Sequence, residues 1–325
     1  MARIFSGIQP TGELHIGNYL GAIRNWVDLQ AEHECFYCVV DLHAMTIPYE
    51  PADMSRRVLD TAATLLACGI DPERSVLFVQ SAVPEHTELC WILNCITPLG
   101  SLQRMTQFKE KSRQHHENVN AGLMNYPILQ AADILLYKAG LVPVGNDQIQ
   151  HLELSRELAR RFNHLFGETF PEPQPYVTKT ARIMALNDPE RKMSKSIPGS
   201  YIALSADAEE IRRLIRRAVT DTGPRKEGMS AGVANLFTLL EGFSVPETVA
   251  RFRDAYERGE LRYSDLKQQL AEDIVRALAP IRERRRELLS QPDRLREILA
   301  AGASRARTVA RAVMEEVRER AGLTF

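Results

Sequence analysis

A chain of 325 residues, 44% apolar and 26% charged, can bury a large core and has room for about two domains. Its formal net charge of -1 excludes attraction to polyanions by bulk charge, so any nucleic-acid surface must be a local patch. No apolar run approaches the roughly 20 residues of a membrane span, and the chain starts in a strand without a secretory or transit pattern, so a cytoplasmic protein with no membrane partner is expected.

Arg3-Ile4-Phe5 is a short apolar run that predicts a buried strand. A turn from Ser6 to Asn18 follows, with glycines at 7, 12 and 17. Tyr19 to Val27 then places apolar residues three and four apart, which predicts a helix. Glycines let backbone come close to a ligand. A helix start offers unpaired N–H groups and a positive dipole end to an anion such as phosphate. A strand is expected at 35–41, a helix at about 51–68 between Pro51 and Gly69, and a strand at 76–79. Apolar strands alternating with helices imply an α/β fold, a parallel sheet covered on both faces. Ligands of such sheets lie beyond the carboxyl ends of the strands, where residues 7–18 and 41–43 fall.

Residues 84–125 interrupt the alternation with helices and a basic polar stretch at 109–116. A helix at about 127–139 and a strand at 141–144 come next. Gly145-Asn146-Asp147-Gln148 ends that strand and opens a helix at 147–166. The proline-rich segment 170–176 reads as a connector and 183–186 as the last core strand. Beyond 206 the pattern is helical, with helices at 207–219, 231–242, 246–258, 263–289 and 292–321. All five cysteines lie in the first third. Cys35 and Cys38 share a strand, where i and i+3 point to opposite faces, and Cys90 and Cys95 are poorly spaced for a second zinc pair. No metal site is expected from them. Residues 201–325 hold 23 Lys and Arg against 20 Asp and Glu, with arginine patches at 212, 213, 216, 217 and at 282, 284, 285, 286.

Two stretches carry the chemistry. One is Pro10-x-Gly12-x-x-His15-x-Gly17-Asn18. The other is Lys192-Met193-Ser194-Lys195-Ser196, on a loop between Pro189 and Pro198. Together they resemble the "HIGH" and "KMSKS" motifs of class I aminoacyl-tRNA synthetases. The wording from Ser6 to Gly12 is similar to the bacterial tryptophanyl branch, and the likeness extends through 105–109, 131–135 and 145–148. The resemblance implies a Rossmann-like catalytic domain at 1–190, with an insertion of about 84–125 forming a homodimer interface. It implies a loop and linker at 191–206 and a helical anticodon-binding domain at 207–291. The C-terminal helix, 292–325, would pack back on the catalytic domain. The implied activity is a ligase that makes tryptophanyl-adenylate from L-tryptophan and ATP with Mg²⁺. It then charges tRNA(Trp), releasing AMP and diphosphate.

An amino acid carboxylate is already nucleophilic enough to attack the α-phosphorus. The site must therefore supply alignment and charge neutralisation, not a catalytic triad. The resemblance gives this work to Lys192 and Lys195, with Lys111 as a further phosphate ligand and His15 as a polar contact. ATP contacts are expected from Gln9, Pro10, Thr11, Gly17 and Asn18. Further ones are expected from Gly145, Asn146 and Asp147 at the ribose, with the side-chain role on Asp147. Ile183 should support the adenine, and Met193, Ser194 and Ser196 complete the loop's share.

Tyr126, Gln130 and Asp133 share one helix face. Asp133 stands in a nearly all-apolar helix, where an unpaired charge is costly. By resemblance it accepts the indole N–H, with Tyr126 and Gln148 toward the ammonium group and Phe5 and His43 among the walls. The chain departs from common family residues at His15, Gln130 and Asn146. Three alternatives stay open. A tyrosyl enzyme shares the Tyr-x-x-x-Gln-x-x-Asp pattern, but Phe5 stands where such enzymes often place a tyrosine for the phenol. A nucleotidyl transferase shares the glycine-rich turn. A non-catalytic synthetase-like nucleic-acid-binding protein would have no need for intact His15, Lys192, Lys195 and Asp133.

Overall fold

Apolar residues on both faces of each early strand leave the sheet no solvated side, so helices must cover both. The computed structural model describes residues 2–105, 119–145, 148–176, 182–195, 197–220 and 228–324. Strand β1 (Arg3–Ile8) leads through the glycine turn into a helical rod. The rod is built from α1 (Ile16–Asn18), a π-helical turn at Tyr19–Ile23 and α2 (Arg24–Leu29). Then come β2 (Glu34–Val39), α3 (Asp41–Ala44), α4 (Pro51–Ala67), β3 (Val76–Val79), α5 (Glu85–Ile96) and α6 (Leu99–Gln103). Helix α7 (Ala121–Leu135), β4 (Leu141–Pro143), α8 (Ile149–Phe166) and β5 (Gln174–Tyr176) complete the sheet region. The strands are parallel, in the order β3-β2-β1-β4-β5.

Alternating side chains serve two cores. Ile4, Cys35, Tyr37 and Leu77 face one, and Phe5, Phe36, Cys38 and Phe78 face the other. The first core continues into the C-terminal helices α9 (Ala208–Arg217), α10 (Ala231–Phe243), α11 (Pro246–Glu257) and α12 (Tyr263–Leu289). Helix α13 (Pro292–Arg320) crosses β3 on the second face. Gly302 makes that crossing possible, because a Cβ there would stand 1.8 Å from the Leu77 carbonyl oxygen. Caps set the helix starts. Asn120, Asp207 and Ser230 accept from Leu123, Glu210 and Val233 N–H, and Pro51, Pro246 and Pro292 occupy first turns.

Three expectations are corrected. The helix placed at 127–139 begins at Ala121, six residues earlier, because the Asn120 cap outweighs Pro127, which sits inside the helix. The connector at 170–176 contains the edge strand β5. Its three exposed residues show no apolar pattern, and Pro175 is tolerated only because an edge asks for fewer N–H donors. Segment 183–186 is not a sheet strand. Its backbone bonds run to the following loop instead: Ala185 N–H to Arg191 O at 2.8 Å, Met193 N–H to Ile183 O at 3.1 Å, and Leu186 N–H to Ser200 O at 2.9 Å.

Candidate active site

The two motif stretches meet. A Cβ on Gly17 would lie 2.9 Å from the His15 ring and 3.4 Å from Met193 Sδ, so only glycine lets the loop close here. A Cβ on Gly12 would lie 3.3 Å from Lys195 Cδ. The segment after the loop is stitched back to the turn by Ile16 N–H to Ile202 O at 3.0 Å and Leu204 N–H to Leu14 O at 2.8 Å. On the helical side, Asn235 grips the Met184 backbone through both amide atoms, each at 3.0 Å. That residue carried no signal in the sequence.

The amides that open α1 are already committed. Gly17 N–H donates to His15 Nδ1 at 3.1 Å, His15 N–H donates to Asn18 Oδ1 at 3.1 Å, and Ile16 N–H goes to Ile202 O. The expected open helix terminus is therefore replaced by side-chain capping. With Nδ1 accepting, neutral His15 carries its proton on Nε2 and becomes a single N–H donor. Burial lowers its imidazole to about 4, aided by the charges of Lys195 and Lys192, so it is neutral at physiological pH. Lys195 is brought down to about 8, first by burial and then by the Arg57 charge, and Lys192 is exposed. Pro10 is buried and Thr11 half-buried in the turn between. Ser200 Oγ donates to Ser194 O at 2.5 Å, which steadies the loop. Ile183 is buried in the first core with Met193.

A cavity of about 300 Å³ opens beyond the carboxyl ends of β1 and β4, at the point where the chain reverses its direction of winding. Parallel sheets place ligands there, and the size suits a small molecule. Its lining brings together Phe5, Gln9, His43, Tyr126, Asp133 and Gln148, which the sequence reading had scattered over 144 positions. Gln130 joins them, with its Nε2 3.5 Å from Gln148 Oε1. The Tyr126 hydroxyl is held 3.0 Å from His151 Nε2. Gly145 is exposed beside this mouth, its carbonyl accepting from Gln148 N–H at 2.9 Å. Lys111, Asn146, Asp147 and Ser196 lie outside the described residues, as does the basic stretch 109–116. Cys38 is fully buried and does not line the cavity.

Asp133 is 1% exposed and is held by three donors that the sequence did not announce as a set. His43 Nε2 lies 2.8 Å from Oδ2, while Gln80 Nε2 and His86 Nδ1 lie 2.7 and 2.6 Å from Oδ1. Burial alone would push this carboxyl up. The two histidines outweigh it and hold the group well below the usual carboxylate range, so it is ionised. The arginine patches are partly structural. Arg212 makes two bonds to Glu272, Arg282 reaches Ala206 O at 2.9 Å, and Arg285 pairs with Asp60. Among the described residues no three His, Cys, Asp or Glu side chains are grouped to hold a metal ion, and no helix is long and apolar enough to cross a membrane.

Comparison with known proteins gives one consistent answer. The description "tRNA synthetases class I (W and Y)" matches residues 1–279. The tryptophan–tRNA ligase of Clostridium tetani is 47% identical over 99% of this chain and 96% of its own length. That of Helicobacter pylori is 46% identical over 99% and 98%. The structure of tryptophanyl-tRNA synthetase from Campylobacter jejuni complexed with ADP and tryptophan is 36% identical. It superposes with a TM-score of 0.85 over 98% of this chain and 99% of that one. A tyrosyl-tRNA synthetase from Archaeoglobus fulgidus, at 22% identity and a TM-score of 0.70, shares the fold.

Proposed function

The chain belongs to the class I tRNA synthetases of the W and Y family, and from that premise we propose the reaction its cavity serves. It is a tryptophan–tRNA ligase: it activates L-tryptophan with ATP and transfers the aminoacyl group to tRNA(Trp). The observation that carries the reading is the ionised Asp133 in a cavity beside the meeting point of the two motifs. A carboxylate acceptor suits an indole N–H. Phe5 can stack on an indole and offers nothing to a phenol.

In the first step the tryptophan carboxylate oxygen attacks the α-phosphorus while the bond to the diphosphate oxygen breaks. Adenylate forms, diphosphate leaves, and no proton need move. Lys192, Lys195 and Lys111 are assigned to the negative charge that gathers on the departing group. His15 Nε2–H is assigned to a phosphate oxygen. Gln9, Pro10, Thr11, Gly17 and Asn18 shape the ATP turn, with Met193, Ser194 and Ser196 on the loop. Gly145, Asn146 and Asp147 take the ribose, and Ile183 the adenine. Tyr126 and Gln148 take the ammonium, with Phe5 and His43 against the ring. Mg²⁺ is proposed to arrive on the nucleotide, because the described side chains supply no cluster for it. When bound it would neutralise phosphate charge.

Helices 207–291 are assigned to the anticodon, and a cytoplasmic location suits the substrate. A homodimer is proposed through α5 and α6, where Trp91 is 71% and Leu99 61% exposed. ATP–pyrophosphate exchange with tryptophan and tyrosine side by side tests the reading. Faster exchange with tryptophan is expected, and faster exchange with tyrosine overturns it.

A further inference from the structure

Asp133 separates the cavity from a sealed polar layer. Gln80, His86 and Tyr137 are each 0% exposed, and none of them lines the cavity. Gln80 and His86 both contact Oδ1 of Asp133, and His86 Nε2 lies 2.8 Å from the Tyr137 hydroxyl. An ionised carboxylate only accepts, so His86 Nδ1 and His43 Nε2 must each carry a hydrogen. The other ring nitrogen of His86, Nε2, pairs with the Tyr137 hydroxyl on the side away from the carboxylate. Hydrogen bonds thus run unbroken from Tyr137 through His86 to Asp133.

The inventory of acceptor positions is short. A carboxylate oxygen takes about two hydrogen bonds. Oδ1 is filled by Gln80 and His86. Among the described residues Oδ2 has one bond, from the cavity-lining His43, and one position left. Gln80 bears a standing loss for its part. Its Oε1 is buried with no hydrogen-bond partner among the described residues. Turning the amide over would satisfy nothing and would set Oε1 against the carboxylate. A buried acceptor left unmade calls for a reason, and the donor it frees for Asp133 is one. Tyr137 also stacks on the cavity's Phe5, with ring centroids 5.6 Å apart and planes 5° from parallel. One side chain thus braces both the acceptor and the ring wall.

We propose that Gln80, His86 and Tyr137 are positioning residues that set amino acid specificity. They fix Asp133 with a single open acceptor position, so that the cavity takes a ring carrying an N–H donor and rejects an isostere without one. This rests on the reading of the cavity as the tryptophan pocket. A ring without the donor leaves a buried acceptor unmade, and mismatches of that kind discriminate strongly.

The test is pyrophosphate exchange with tryptophan and with 3-benzothienylalanine, in which sulfur replaces the indole N–H. The readout is the ratio of the two kcat/KM values in wild type, His86→Leu and Tyr137→Phe. Loss of the bracing bonds should lower the ratio about three- to tenfold. A merely structural role would slow both substrates together and leave the ratio alone. A ratio within about twofold of wild type in the folded variants overturns the inference. If His86→Leu does not fold, Tyr137→Phe, which removes only an oxygen, decides by the same criterion. A wild type that exchanges with neither compound takes down the pocket reading, and the inference with it.

Discussion

Lys195 should make this enzyme fail at a pH where its fold gains stability. Burial and the Arg57 charge bring its ammonium from 10.5 down to about 8. The charged fraction then falls from about nine-tenths at pH 7 to about one-tenth at pH 9. If the charged form is needed for the triphosphate, kcat/KM for ATP at saturating tryptophan should lose about tenfold per unit above pH 8. The stability term has the opposite sign. A lysine depressed in the folded state binds fewer protons there than in the unfolded chain, so between about 8 and 10.5 its contribution to stability rises with pH. The full swing is about 3 kcal/mol for a shift of this size. Loss of activity therefore cannot be unfolding driven by this group. The assay is pyrophosphate exchange from pH 6.5 to 9.5, with thermal melts at each pH. Lys195→Arg keeps its charge across that range and should lose the alkaline limb while running more slowly. A limb near pH 8 that persists in Lys195→Arg, or a wild-type profile flat to pH 9.5, refutes the reasoning.

Asp133→Asn leaves one acceptor facing three donors and should lower kcat/KM for tryptophan about hundredfold with little change in the KM for ATP, measured by exchange kinetics. The same carboxyl, ionised and paired in the fold, contributes stability above its ordinary range that is lost only as the pH falls through its depressed value. Acid unfolding followed by circular dichroism should accordingly begin earlier in the variant that lacks it. Gly302→Ala would drive a Cβ to 1.8 Å from Leu77 O and 2.7 Å from Leu77 C, both backbone atoms that cannot step aside. Helix α13 must lift off β3, at a cost of about 1–3 kcal/mol or more, readable as a lower urea midpoint. Trp91→Glu places a charge on the exposed face of α5 and should shift the sedimentation coefficient from dimer to monomer if that face joins two copies.

Legibility followed locality. His15, Gly17 and the Lys192–Ser196 run were readable as motifs because each pattern lies within a few residues, and short spacing survives in a linear sequence. The long C-terminal helices were readable for the same reason, since caps and apolar repeats are local. Strand β5 was not, because an exposed edge strand needs no alternation of apolar residues and its partners on β4 lie 33 positions away in the chain. Segment 183–186 looked like a strand because burial selects apolar residues whether or not a sheet is present. His86, Gln80 and Asn235 gave no sign, since a single polar residue is silent in the sequence about what it will meet in the fold.

Residue order alone determined the chemistry on offer: two lysines on one loop, a glycine-bounded turn after a strand, a lone carboxylate in an apolar helix. Folding decided which of these groups would touch, which protons they would carry, and which would be masked. Helix-opening amides that read as open to an anion are taken by His15 and Ile202, and a carboxylate that read as solitary has three donors. The reason is that charge state and hydrogen-bond capacity depend on neighbours a few ångströms away in space. Those neighbours come from residues 43, 80, 86 and 133, far apart in sequence and joined only by the packed sheet.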